Sequence, residues 1–124
     1  MAAMTQSLED YLEAIYMLIA EERPAQVRDV ALMLSVKMPS VVKALHELKR
    51  LGLVTQKPYA NIELTEKGRR VARHVLNRHK LIRTFLMKLG VCRRTADKDA
   101  CLMEHILSAE TLDRIRTYTE KDSK

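Results

Sequence analysis

Cys101, Glu104 and His105 set a thiol, a carboxylate and an imidazole within five residues of one another. On a helix these positions are i, i+3 and i+4 and project from one face. Each group can lose a proton and offer a lone pair, and three such donors on one stripe are what a divalent metal takes from a single segment. The surrounding stretch, Asp97 to Ser108, reads as a largely buried helix, with Leu102, Met103, Ile106 and Leu107 covering the rest of its surface. A plainer arrangement fits the same residues: cysteine as a small core hydrophobe, and a Glu-His pair on a solvated edge. Matching donors elsewhere in the chain must decide between them.

The elements available to supply them are helical for the most part. Ser7 to Glu22 reads as a first helix with Leu8, Leu12, Ile15 and Ile19 on one stripe, and Asp10 and Glu13 lie on another face. Ser7 and Asp10 have capping-box spacing, which alone would account for Asp10, and a solvent-facing charge would account for Glu13. Arg23-Pro24-Ala25 breaks this helix, and Val27 to Leu34 forms a second. A third opens at Pro39-Ser40, with proline in the first turn and serine available to the exposed amides, and carries Val41, Leu45 and Leu48 inward. Ser40, Val42, Lys43 and His46 face outward, His46 as a plain surface residue. Two short helices joined by the tight Lys37-Met38 turn make a helix-turn-helix.

Gly52 caps the third helix, and Leu53 to Lys57 with Ile62 to Leu64 read as a small hairpin around Pro58-Tyr59-Ala60-Asn61. The fold class is therefore mainly α with a small β-hairpin, a winged helix-turn-helix followed by further helices. Ser40, Val42 and Lys43 are the candidates for base edges, with Pro39 a further DNA-contact candidate beside them. Lys37, Lys57, Tyr59, Asn61 and Arg70 are the candidates nearer the phosphates. Thr65 caps a long fourth helix that runs to Leu89 and stops at Gly90, with Val71, Val75, Ile82, Leu86 and Leu89 as its buried stripe. His79 lies midway along it, where a satisfied helix histidine is the ordinary expectation. Ala96 to Leu107 forms a fifth helix. Ser108 caps a sixth, Ala109 to Tyr118, and Glu120 to Lys124 are expected to fray.

The 124 residues carry a formal net charge of +6. Ten Lys or Arg and no acid fall between Lys67 and Ala96, which favours a polyanionic partner. No apolar run approaches the roughly 20 residues that span a bilayer, and Met1 to Gln6 has neither the charged start nor the apolar stretch of a signal peptide, so a cytoplasmic protein is expected. Cys92 and Cys101 are too few for a disulfide framework; both are expected to be reduced, with Cys92 structural.

A winged helix together with Ser7-Leu8-Glu9-Asp10-Tyr11-Leu12-Glu13, Arg78-His79-Lys80-Leu81 and Ala100-Cys101-Leu102-Met103-Glu104-His105, in that order, resembles the diphtheria toxin repressor family of metal-dependent transcription regulators. The resemblance spans nearly the whole chain. Its length fits the manganese transport regulator branch, which lacks the SH3-like third domain of the longer iron-dependent members. In that branch a carboxylate pair on the first helix, a histidine on the fourth and a Glu-His pair on the fifth share a metal site. Asp10, Glu13, His79, Glu104 and His105 match those positions.

Cys101 departs from that pattern, since the manganese branch has glutamate there and the iron branch cysteine. The iron branch in turn has methionine where this chain has Asp10, and an acid where it has Arg83. The resemblance thus implies a hybrid ligand set for Mn(II) or Fe(II), with Co(II) and Zn(II) also compatible. It implies a homodimer on an inverted-repeat operator in double-stranded DNA, with a DNA-binding domain over residues 1–67 and a metal-binding, dimerising domain over 68–124. The function expected is repression of metal-ion uptake or homeostasis genes. A metal-independent winged-helix regulator sensing a small molecule is the alternative. An enzyme is not expected, because no nucleophile-base pairing or recognised catalytic motif occurs.

Overall fold

A computed structural model describes residues 4–121, which fold as two compact units divided between Arg73 and His74. The elements in order are α1 (Gln6–Ala20), α2 (Val27–Leu34), α3 (Met38–Arg50), β1 (Val54–Thr55), β2 (Glu63–Leu64), α4 (Glu66–Lys88), α5 (Arg93–Met103) and α6 (Ala109–Lys121). No helix among the described residues is long and apolar enough to cross a membrane. Of the end expected to fray, Glu120 and Lys121 are helical, and residues 122–124 lie outside the described residues.

In the first unit the apolar stripes of α1, α2 and α3 converge. Leu12, Ile15 and Leu18 meet Val30, Val41 and Leu48, all fully buried, and Leu53 and Ile62 close the cluster from the hairpin. At roughly 1.5–3 kcal/mol for each large aliphatic side chain buried, this cluster is the main source of the unit's stability. The turn between α2 and α3 passes through Ser35 in the left-handed region (φ 56°), and Pro39 lies in the first turn of α3. Lys37 rather than Ser40 occupies the N-cap of α3, and no side chain caps it.

β1 and β2 pair antiparallel, Val54 with Leu64 and Thr55 with Glu63. The strands are shorter than the apolar pattern predicts, and the residues that flank them bond outside the ladder. The Ile62 amide donates to the Ala25 carbonyl at 2.7 Å, and the Gln56 side chain donates to the Ala60 carbonyl at 3.0 Å.

Thr65 ties the hairpin to α4. Its hydroxyl accepts from the Gly68 amide (2.9 Å), as a helix N-cap does, and donates to the Gly52 carbonyl (2.7 Å). A Cβ at residue 68 would stand 1.9 Å from the Leu53 carbonyl oxygen, so only glycine lets the first turn of α4 approach this closely.

The second unit is built on the remainder of α4. Ile82 and Leu86 pack with Ala96 and Ala100 of α5 and Leu112 of α6, the alanines allowing close approach. Phe85 meets Tyr118 edge to face, with ring centroids 5.8 Å apart. Ser108 caps α6 by accepting from the Thr111 amide at 3.1 Å. Several expectations fail here. α4 ends at Lys88, one residue before Leu89, and the chain turns at Gly90 (φ 103°), leaving Leu89 58% exposed rather than in the buried stripe. Cys92, expected to be structural, is exposed at the N-cap of α5 with its thiol bonded to the Thr95 hydroxyl, and hydrogen bonds from the Thr95 side chain and backbone draw the thiol below its ordinary pKa.

Candidate functional site

α5 stops at Met103, earlier than its apolar residues indicate, and the reason lies in its last turn. The amides of His105 and Ile106 donate to the carbonyls of Leu102 and Met103, bonds that span three residues and tighten the helix end. The tightening turns Glu104 inward to 2% exposure and leaves Leu102 and Ile106 at 59% and 76%, so the two leucine-type residues expected to be buried are not. Glu104 is thus a carboxylate in the interior of the second unit, a position that costs several kcal/mol unless the charge is matched.

What faces it are two imidazoles. His105 Nε2 lies 3.3 Å from Glu104 Oε1, and His79 Nδ1, from α4, lies 3.9 Å from Glu104 Oε2. His79 Nδ1 is buried and makes no hydrogen bond within the described residues. Donors that share one transition-metal ion each stand about 2.0–2.2 Å from it, so separations of about 3–4 Å between them are those of a common coordination sphere. Each imidazole thus stands at a distance from a Glu104 oxygen at which the two could share a divalent cation of the first transition row. Nitrogen and carboxylate oxygen together suit Mn(II), Fe(II) and Zn(II) alike.

On its other side, His79 Nε2 lies 3.3 Å from Asp97 Oδ1 of α5, and the same oxygen accepts from the Arg83 guanidinium at 3.0 Å. Arg83 holds the Asp97 carboxyl below the ordinary carboxylate range, against a smaller opposing effect of desolvation and with a further lowering from His79. Cys101, one turn before Glu104 on α5, is half-buried.

In the first unit Asp10 and Glu13 lie on α1, both half-buried. Thr5, not Ser7, is the N-cap of this helix, its hydroxyl accepting from the Leu8 amide at 3.1 Å. The helix starts earlier than Ser7, so Asp10 lies beyond the first turn and the capping box expected of it is not formed. The acid that does reach back to a helix start is Asp29, which accepts from the Gln26 amide at 3.0 Å.

The same unit presents an exposed face along the start of α3 and the hairpin. Lys37, Pro39, Ser40, Val42 and Lys43 are all exposed, as are Lys57, Tyr59 and Asn61 around the hairpin tip and Arg70 on α4. Tyr59 stands fully in solvent with its backbone in the left-handed region (φ 62°), and Asn61 accepts a hydrogen bond from the Gln26 side chain at 3.0 Å. The basic block is divided between tasks. Arg69, Arg70 and Arg73 are exposed, whereas Arg83 is committed to Asp97 and Lys88 donates to the Thr119 carbonyl.

Two family models cover almost the whole chain: the iron dependent repressor N-terminal DNA binding domain matches residues 3–62, and the iron dependent repressor metal binding and dimerisation domain matches residues 65–123. An HTH-type transcriptional regulator of Methanocaldococcus jannaschii is 44% identical over 120 residues, covering 95% of this chain and 96% of its own. The transcriptional regulator MntR of Escherichia coli O6:H1 is 40% identical over 114 residues, covering 92% of this chain and 74% of its own.

The chain belongs to the iron-dependent repressor family.

Its members are metal-dependent DNA-binding transcription regulators rather than enzymes, and a divalent metal is the cofactor. Among solved structures, the manganese regulator SloR superposes with a TM-score of 0.83 at 30% identity, covering 94% of this repressor and 55% of that chain. This repressor thus spans about half the length of that regulator. Its two matched domains assign it DNA and a second copy of itself as partners.

Sequence reasoning missed the contact that Asp97 makes with His79. The signal was present: Asp97, Cys101, Glu104 and His105 are spaced i, i+4, i+7 and i+8, one helical stripe. Arg83 entered only as a departure from the family pattern, and its ion pair with Asp97 could not be read without knowing how α4 meets α5.

Proposed function

We propose that this chain is a homodimeric, cytoplasmic repressor of metal-ion uptake or homeostasis genes, activated by Mn(II) or Fe(II). The observation that carries the reading is the buried Glu104 carboxylate between His79 and His105, with His79 Nδ1 lacking a hydrogen bond among the described residues. The proposed ligands are Asp10, Glu13, His79, Cys101, Glu104 and His105; the two acids of α1 and the thiol rest on the family resemblance. A bound cation would take the buried Glu104 carboxylate as one of its donors, beside the imidazoles that approach it. Donors drawn from α1, α4 and α5 couple ion binding to DNA binding by linkage, since the DNA-competent state is favoured only by as much as it binds the ion better.

In this reading residues 1–67 contact DNA and residues 68–124 bind metal and dimerise. Ser40, Val42 and Lys43 of α3 meet base edges with Pro39 beside them at the DNA, and Lys37, Lys57, Tyr59, Asn61 and Arg70 lie near phosphates. A two-fold dimer placing two α3 helices in successive major grooves reads half-sites about 34 Å apart, hence an inverted repeat. Selection from a random duplex library in the presence of Mn(II), of anaerobic Fe(II) or of a chelator tests this. An inverted repeat should be recovered with either metal and not with chelator. Recovery of the same sequence in all three conditions would refute metal control.

A further inference from the structure

We infer that Asp97, itself clamped by Arg83, is a positioning residue that fixes the orientation and tautomer of His79, so that Nδ1 carries the lone pair directed towards Glu104. This rests on the reading of His79 as a ligand. An ionised carboxylate is an acceptor only, so the 3.3 Å contact between Asp97 Oδ1 and His79 Nε2 places the hydrogen on Nε2. The neutral ring then has its lone pair on Nδ1, the buried atom 3.9 Å from Glu104 Oε2. A carboxylate on the far nitrogen is the usual way a metal-binding histidine is held and made more basic.

Asp97 cannot hold the ring unless it is held itself, for its side chain is 41% exposed. Arg83 supplies this. It sits one turn after His79 on α4 and donates to the same Oδ1 at 3.0 Å, so two groups of α4 grip one oxygen of α5. Arg93, one turn before Asp97 on α5, brings its Nε to 4.0 Å from Oδ2. The guanidinium is a permanent cation with a rigid fork of donors, so Arg83 keeps Asp97 ionised and pointed at the ring. An acid at residue 83 would repel Asp97 and leave the ring unanchored, which gives the departure from the iron branch a physical role in this chain.

Nitrogen NMR of the His79 ring in metal-free protein, at a pH above the ordinary histidine range, reads the tautomer directly, and Mn(II) titration reads the consequence. The wild type should hold the Nε2–H tautomer. Asp97→Ala should let the ring turn its hydrogen to Nδ1, towards Glu104, and should weaken Mn(II) binding roughly 10–100-fold, the usual effect of losing such a partner. Asp97→Asn should restore both, since its amide oxygen still accepts, and circular dichroism of the variants should match the wild type. An Nδ1–H tautomer in the wild type overturns the inference, as does an Asp97→Ala protein in which either the tautomer or the Mn(II) affinity is unchanged. If His79→Ala leaves Mn(II) binding intact, the ligand reading fails instead, and the metal-free tautomer still judges the role of Asp97.

Discussion

His79 Nδ1 and Glu104 Oε2 lie 3.9 Å apart, too far for a hydrogen bond and close enough for two donors to share one ion. The pair joins α4 to the end of α5 in the interior of the second unit, where a carboxylate has little water to solvate it. Such a pair is a poor stabilising contact by itself. It becomes a strong one when a cation stands between its members, which is the behaviour expected of a sensor.

Replacing Glu104 by glutamine should therefore abolish the response of thermal unfolding to metal. The stabilisation by Mn(II), about 2.7 kcal/mol at a metal concentration one hundred times Kd, should be lost. A variant that still gains stability from Mn(II) as the wild type does would show that Glu104 is not a ligand.

At Cys101 the test is one of metal preference. A thiolate is softer than a carboxylate, so Cys101→Glu should weaken Co(II) and Zn(II) binding far more than Mn(II) binding. Competition titrations measure the ranking. An unaltered order would return Cys101 to the status of a half-buried packing residue.

On the DNA side, Lys43 and Arg70 should behave differently. Lys43→Ala, near the start of α3, should change which duplexes are preferred, while Arg70→Ala should weaken binding to every duplex alike and lower the salt slope by about one unit. Binding measured across salt concentrations on selected and random duplexes separates the two. Equal losses on both duplexes for Lys43→Ala would remove it from the base-reading set.

Gly68 offers a test of the fold itself. An added methyl must displace the Leu53 backbone, from which it would stand 1.9 Å, so Gly68→Ala should cost the first unit on the order of 3 kcal/mol or more. Thr65→Ala removes a cap and should cost about 1 kcal/mol. Denaturant unfolding reads both, and a Gly68→Ala protein of wild-type stability would contradict the close approach.

Much of this architecture was legible because local chemistry agrees with the tertiary outcome. Pro39 in the first turn of α3, Gly52 after its end and Thr65 before α4 are signals with a mechanism, and each lies where it was expected. The errors share a cause as well. Ser7 and Asp10 have capping spacing, but Thr5 offers a hydroxyl one residue before the helix start and the cap forms there. The apolar period through Leu102 and Ile106 runs past Met103, yet no glycine or proline announces the stop, and only the tightened last turn reveals that Glu104 turns inward. The Ile62 amide, facing away from β1, finds Ala25, a partner 37 residues away that periodicity along the chain cannot supply. Asp97 was invisible for the same reason, its meaning depending on His79 and Arg83 of another helix.

The central claim is that an ion held through Glu104 and His79 controls DNA binding, and fluorescence anisotropy on the selected duplex tests it most directly. Titrating wild-type protein with and without Mn(II) should give a gain in affinity within or above the 5–150-fold range typical of coupled sites, and Glu104→Gln should give equal, weak binding in both conditions. Wild-type affinity that is the same in Mn(II) and in chelator, or a Glu104→Gln protein that still responds to Mn(II) in full, would contradict it.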